Sequence, residues 1–156
     1  MTRTILITGT SRGFGRETAE RLARDGYRVF AAMRDIASRN RSHADALRSQ
    51  KIGVVELDVT DDGSIDRAIA SILAEAGKIN VLVNNAGIAL VGVTEALTTD
   101  QAKAIFDTNV IGPQRYAGSA AFDASGARRP HYQHGLGLRP GDVSLRRHLR
   151  REQDGD

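Results

Sequence analysis

The residues of this chain that could do chemistry begin at Thr8-Gly9-Thr10-Ser11-Arg12-Gly13-Phe14-Gly15, directly after the apolar, β-branched run Thr4–Thr8. Glycines at this spacing let a backbone turn sharply off a strand and approach a phosphate closely. The free N–H groups of a following helix would then meet the anion's charge. The spacing is TGxxxGxG rather than GxGxxG. Three more polar positions fall at the ends of apolar runs or just beyond: Asp58 in Leu57-Asp58-Val59, the group Asn84-Asn85-Ala86-Gly87 after Val81-Leu82-Val83, and Asn109. Asp58 can accept from an adenine amino group or serve as a turn or capping Asp. The Asn pair is either an Asx turn or a ligand contact at the carboxyl end of a strand, and Asn109 is a helix-borne polar residue or a cap.

The elements that would carry these residues follow from periodicity. Apolar runs predict strands at Thr4–Thr8, Arg28–Met33, Val54–Val59 and Val81–Val83. Ala19, Leu22 and Ala23 give a helical stripe from Gly15 to Arg24, with Asp25-Gly26 as the stop, and a short helix is expected over His43–Gln50. Ile65, Ala68, Ile69, Ile72 and Leu73 recur at i, i+3, i+4, i+7 and i+8, with Ser64 near the start, and a last helix is expected over Asp100–Val110. Strands alternating with helices imply right-handed βαβ units: an α/β fold with a parallel sheet and helices on both faces.

After Gly112 the alternation stops. Residues 113–156 are rich in Gly, Arg and Ser, and hold 8 basic against 5 acidic residues, whereas residues 1–112 are balanced at 14 of each. The net charge of +3 therefore resides in the tail, which reads as a disordered basic segment, and the balanced front half gives no reason to expect a nucleic-acid partner. With no Cys there is neither a disulfide framework nor a thiolate metal site, and no metal is expected. The N-terminus MTRTILITGT has the features of neither a signal peptide nor a membrane span, so a soluble, cytoplasmic chain without membrane contact is expected.

Taken together, TGTSRGFG, LDV, NNAG and Asn109 resemble the short-chain dehydrogenase/reductase family in order and spacing over residues 3–113. The resemblance implies a Rossmann-type doubly wound parallel sheet, here incomplete at about four strands in the order 3-2-1-4, occupying residues 1–112. It implies hydride transfer between a nicotinamide cofactor and an alcohol or carbonyl small molecule. Gly9, Thr10, Ser11, Arg12, Gly13, Phe14 and Gly15 would face the pyrophosphate. Asp58 and Val59 would lie at the adenine, Asn85, Ala86 and Gly87 along the cofactor, and Asn109 would be the Asn of the catalytic tetrad. Where NAD-specific relatives place a carboxylate, the second strand ends Ala31-Ala32-Met33-Arg34, so Arg34, with Arg12, points to NADP rather than NAD, although Asp35 stands one residue away. The stretch Val29–Asp35 (VFAAMRD) is similar to steroid- and retinol-type members, and the parent protein is expected to be a homo-oligomer.

The family's proton donor is a Tyr with a Lys four residues on, accompanied by a Ser. Here Tyr27, Tyr116 and Tyr132 are followed at that distance by Ala31, Ala120 and Leu136, and Ser119, Ser125 and Ser144 have no such partner. His131 and His134 read as surface histidines. The genetic code suggests a cause. Taking the last two bases of each codon with the first of the next, His131-Tyr132-Gln133-His134-Gly135 allows only Ile/Thr, Ile/Thr, Asn/Ser and Met/Thr in succession. Over Pro130–Asp154 the shifted frame can read LIINMASVSGRVTFPFVGTYAASKT, which holds a Ser and a YxxxK at family spacing. The expectation is a shift of frame between Gly112 and Tyr116, and a chain that is a catalytically dead, aggregation-prone truncation of an active parent. The rival expectation is a non-catalytic dinucleotide-binding protein, or one that uses its basic tail on nucleic acid.

Overall fold

The structure is a computed structural model that describes residues 2–117. Four parallel strands form one sheet: β1 (Thr4–Thr8), β2 (Arg28–Met33), β3 (Gly53–Glu56) and β4 (Val81–Val83), in the order β3-β2-β1-β4. Helices α1 (Gly13–Arg24), α2 (Arg41–Ser49) and α3 (Asp62–Ala76) make the crossovers. This is the parallel α/β sheet that the alternation of elements implied, in the Rossmann-type order that the family resemblance implied.

The register shows why the strand sequences are apolar without alternation. Leu6 lies opposite both Phe30 and Leu82, and Ala32 opposite Val55. Even-numbered Leu6, Phe30, Ala32 and Leu82 pack with Ile65, Ala68, Ile69 and Ile72 of α3. Odd-numbered Ile5, Ile7, Val29, Ala31 and Met33 pack with Ala19, Ala44 and Leu47 of α1 and α2. Both faces of the sheet are covered, so a strand cannot afford a polar side. Each fully buried side chain of the size of Leu6 or Ile7 stabilises by about 1.5–3 kcal/mol.

Local chemistry sets the helix bounds. Asp61 caps α3 by accepting from the Ser64 N–H (3.2 Å), and Gly77, at φ +74°, ends it with a left-handed residue that no side chain hinders. The strand β3 stops at Glu56, two residues before Asp58, although the apolar run continues. Leu57 and Val59 are buried beyond it; the Leu57 N–H still donates to the Met33 carbonyl (3.0 Å), whereas Val59 lies in a turn.

The last helical stretch is longer than its sequence suggested. A capping box between Thr98 and Gln101 starts α4 (Thr99–Phe106), a wide π-helical turn covers Asp107–Ile111, and α5 (Gly112–Ala117) carries the helix on. Residues 113–117 are thus helical, not the start of a structureless tail. Pro113 has no N–H to return to the turn below it, and the Gly112 N–H reaches back five residues to the Asp107 carbonyl, so the helix widens where the proline enters. The rest of the expected tail, with Tyr132, the serines and the two histidines named above, lies outside the described residues. Among the described residues no helix is long and apolar enough to cross a membrane.

Candidate functional site

The carboxyl ends of the strands open into one cleft of about 740 Å3. Its middle is the turn between β1 and α1. Gly9 and Gly13 adopt φ +70° and +61°, conformations that a side chain would strain. A Cβ on Gly9 would sit 2.7 Å from the Ala86 Cα, and one on Gly15 2.5 Å from the Gly9 carbonyl oxygen, while Gly13 looks into open space. Arg12, at the N-cap of α1, makes no capping bond with its side chain, and no acidic residue occupies the helix's first turn. The first N–H groups of α1 are thus left to an anion from outside.

Thr8 and Asn85 lock the two central strand ends together. The Thr8 hydroxyl accepts from the N–H groups of Asn85 (3.1 Å) and Ala86 (3.0 Å). The Asn85 amide donates to the carbonyls of Thr8 (2.9 Å) and Gly9 (3.0 Å). The sequence set Thr8 at the head of the glycine motif but gave it no role, since inside an apolar run it reads as one more β-branched residue. Thr10 is placed apart from its neighbours. It is fully buried, and both its N–H and its hydroxyl donate to the Ala32 carbonyl (3.1 Å each), so it anchors the turn and does not line the cleft.

One arm of the cleft is lined by Arg12, Arg34, Asp35, Arg39, Asn40 and His43. Arg39 and His43 were missed by sequence, which had no signal to separate them from other surface residues around α2. Asp35 stands at φ +56°, held there because its N–H and that of Ile36 both donate to the Glu56 carboxylate (3.0 and 3.3 Å). Arg34 Nη1 lies 3.4 Å from Asp58 Oδ2, joining two residues expected to contact different parts of a ligand. Burial alone would push the Asp58 carboxyl up, but hydrogen bonds from the Thr60 hydroxyl (2.7 Å) and N–H (2.8 Å) and the charge of Arg34 outweigh it and hold it below its ordinary value. Asp58, Val59 and Thr60 line the cleft beside Leu57.

The other arm runs past Asn85, Ala86, Gly87 and Ile88 to Ala104, Asp107 and Thr108. Asn109, in the π turn, does not line it. Its carboxamide closes a two-way bond with the backbone of Ile88, accepting from the N–H (2.9 Å) and donating to the carbonyl (2.8 Å). The structure therefore brings together every expected site residue except Thr10 and Gly13 at the turn and Asn109 behind it. Among the described residues no group of three or more His, Cys, Asp or Glu is placed to hold a metal ion. Neither described tyrosine reaches the cleft: Tyr27 is exposed before β2, and Tyr116 is buried in the core beneath α3. Among the described residues its hydroxyl finds no hydrogen-bond partner, and burial, with Asp58 nearby, raises its pKa well above the ordinary range.

Known proteins match this chain along most of its described length. The short chain dehydrogenase family profile matches residues 3–122. Retinol dehydrogenase 8 of Bos taurus is 40% identical over 118 residues, which are 72% of this chain and 37% of that protein. Human 17-beta-hydroxysteroid dehydrogenase type 1 is 38% identical over 123 residues, 74% of this chain and 37% of the relative. Among solved structures, a short-chain dehydrogenase from Streptomyces avermitilis superposes with a TM-score of 0.66 at 35% identity, covering 74% of this chain and 42% of that one. A variant of actinorhodin polyketide ketoreductase crystallised with NADPH gives a TM-score of 0.67 at 30% identity, covering 74% and 45%. This chain thus spans under half the length of these relatives.

Proposed function

The chain belongs to the short-chain dehydrogenase family, and we propose that its described part is the NADP-binding half of an oxidoreductase acting on a secondary alcohol or ketone. The residues fit such a cofactor. The uncapped first turn of α1, which Gly13 begins, with Gly9 and Ser11 before it, suits the pyrophosphate, and the exposed ring of Phe14 stands at its edge. Asp58 and Val59 border the adenine arm, while Asn85, Ala86 and Gly87 border the nicotinamide arm, with Asn109 fixing the Ile88 backbone beyond. The bound nicotinamide would supply or accept the hydride; the chain's own residues bind and orient it.

The observation that carries the preference for NADP is the convergence of Arg12, Arg34 and Arg39 on one cleft, where only Asp35 and Asp58 offer opposing charge at that arm. A 2′-phosphate would be met by guanidinium groups suited to bidentate contact. An apolar substrate fits the names of the retinol and hydroxysteroid relatives and the exposed side chains of Ile88, Leu90 and Val91 beyond the nicotinamide arm. The absence of Cys suits a reducing cytoplasm.

Fluorescence titration tests the cofactor reading. NADPH should bind about ten- to a hundredfold more tightly than NADH, and Arg34→Ala should remove most of the difference. Equal affinities in the unaltered chain would overturn it. We further propose that the chain itself is catalytically silent, because no described tyrosine meets the cleft and no YxxxK occurs in the sequence. Incubated with NADPH and a panel of ketones, it should oxidise no more cofactor than a protein-free control. Sequencing the coding DNA across Gly112–Tyr116 should reveal the shift that restores YxxxK.

A further inference from the structure

We infer that Arg115 is a positioning residue that ties the adenine wall of the cleft to the helix carrying Asn109, an inference that rests on the dinucleotide reading above. The Arg115 side chain is four-fifths buried, and its guanidinium makes three contacts at once. Nη1 donates to the Val59 carbonyl (3.1 Å), Nη2 to Asp107 Oδ1 (2.7 Å), and Nε faces Asp62 Oδ1 (3.1 Å). Val59 lines the adenine arm, Asp107 opens the π turn, and Asp62 begins α3. One planar cation thus spans the π turn from its far side and fastens it to the opposite wall.

A π turn is wider and less well hydrogen-bonded than the helix around it, so Asn109 cannot rely on the helix alone for its placement. Two further observations place the bridge at this spot. Gly112 lets the helix approach Val59 so closely that a Cβ there would lie 3.2 Å from the Val59 carbonyl oxygen. Asp58, by contrast, is secured without Arg115, through Thr60 and through its own N–H donating to the Ser64 hydroxyl (3.0 Å). Losing Arg115 should therefore free the Asn109 side of the cleft much more than the adenine side. Arg115 touches no part of a ligand; it acts through Asn109 and Ile88. Lys could satisfy one of the three contacts, but not the fork.

The test uses the full chain with Arg115→Met, Arg115→Lys and Asp107→Asn. It measures affinity for 2′,5′-ADP and for NADPH by calorimetry, amide exchange at Ile88, and the melting temperature. With Arg115→Met, exchange at Ile88 should quicken about tenfold and NADPH should bind about tenfold more weakly, while 2′,5′-ADP changes by no more than about twofold. Arg115→Lys should fall between, and Asp107→Asn should reproduce the Ile88 effect if Arg115→Met does not fold. A uniform loss for both ligands that follows the melting temperature would show a merely structural residue and overturn the inference, as would unchanged exchange at Ile88. If the unaltered chain binds neither nucleotide, the cofactor reading fails, while the exchange at Ile88 still decides the role of Arg115.

Discussion

The two arms of the cleft are built differently. Around β1, β2 and β3, nearly every apolar side chain is packed between the sheet and α1, α2 or α3. From Ile88 to Ile111 the reverse holds: α4 and the π turn bury no residue, and Leu90, Val91, Val93, Phe106, Val110 and Ile111 stand half or more exposed, or nearly so. Next to them, β4 pairs with β1 on one side, and no described strand pairs with the other. The arm at Arg34 and Asp58 is finished by what surrounds it. The arm beyond Ile88 presents an apolar face beside a strand edge that no described strand covers, the combination that invites association. The teaching is that two ends of one cleft can be built on different scales: the glycine turn is closed by neighbouring strand ends and helices, whereas the arm beyond Ile88 keeps its apolar side chains at the surface of the described residues.

The largest expected effect attacks the finished arm. Gly15→Val should abolish nucleotide binding and cost more than about 3 kcal/mol, because the added atoms collide with the Gly9 carbonyl and the Asn85 amide, and neither is a flexible side-chain end. A variant that melts with the parent and binds NADPH would break the contrast.

A smaller effect comes from Asp58. Its carboxyl is held below the ordinary value in the folded chain, so its ionised form stabilises the fold above about pH 4, and this contribution drains away as the pH falls through the lowered pKa. Asp58→Asn should cost on the order of 1 kcal/mol at neutral pH, and progressively less as the pH falls through the lowered pKa. Urea melts between pH 7 and pH 2 will check it; a constant gap between the two proteins would sink it.

The smallest effect on stability, with the largest on association, belongs to the open arm. Val91→Ser with Val93→Ser should shift stability by less than about 0.5 kcal/mol, yet lower the aggregated fraction on size-exclusion chromatography. No change in that fraction would place the sticky surface elsewhere.

The sequence made some of this legible and concealed the rest for physical reasons. Strands buried on both faces announce themselves as unbroken apolar runs, and the glycine turn is readable because only glycine meets its backbone demands. Asp58 was assigned to the end of β3 because burial continues past the last inter-strand hydrogen bond, from the Leu57 N–H to Met33, and Val59 looks the same in sequence whether paired or not. The helix through Ala117 was cut short because Asn109, Gly112 and Pro113 are breaker residues, and nothing local reveals that a π turn will absorb the proline. Thr10 looked like a ligand contact by its place in the motif; only its fit under the Ala32 carbonyl turns it inward. Arg115 was invisible because its partners lie as far away as Val59, 56 residues earlier.

The bonds between Thr8 and Asn85 join residues 77 apart in the chain, whereas β1 meets β2, and β2 meets β3, across a single short crossover. Closing so long a loop is slow and entropically dear, and nothing repays it until β4 has docked. In folding time, therefore, the floor of the cleft is expected to close last, after β1 to β3 with their helices have found one another. Reversed, it is the first to part, so a nucleotide that spans the joint would act as a brake on unfolding at the very seam where the two arms meet.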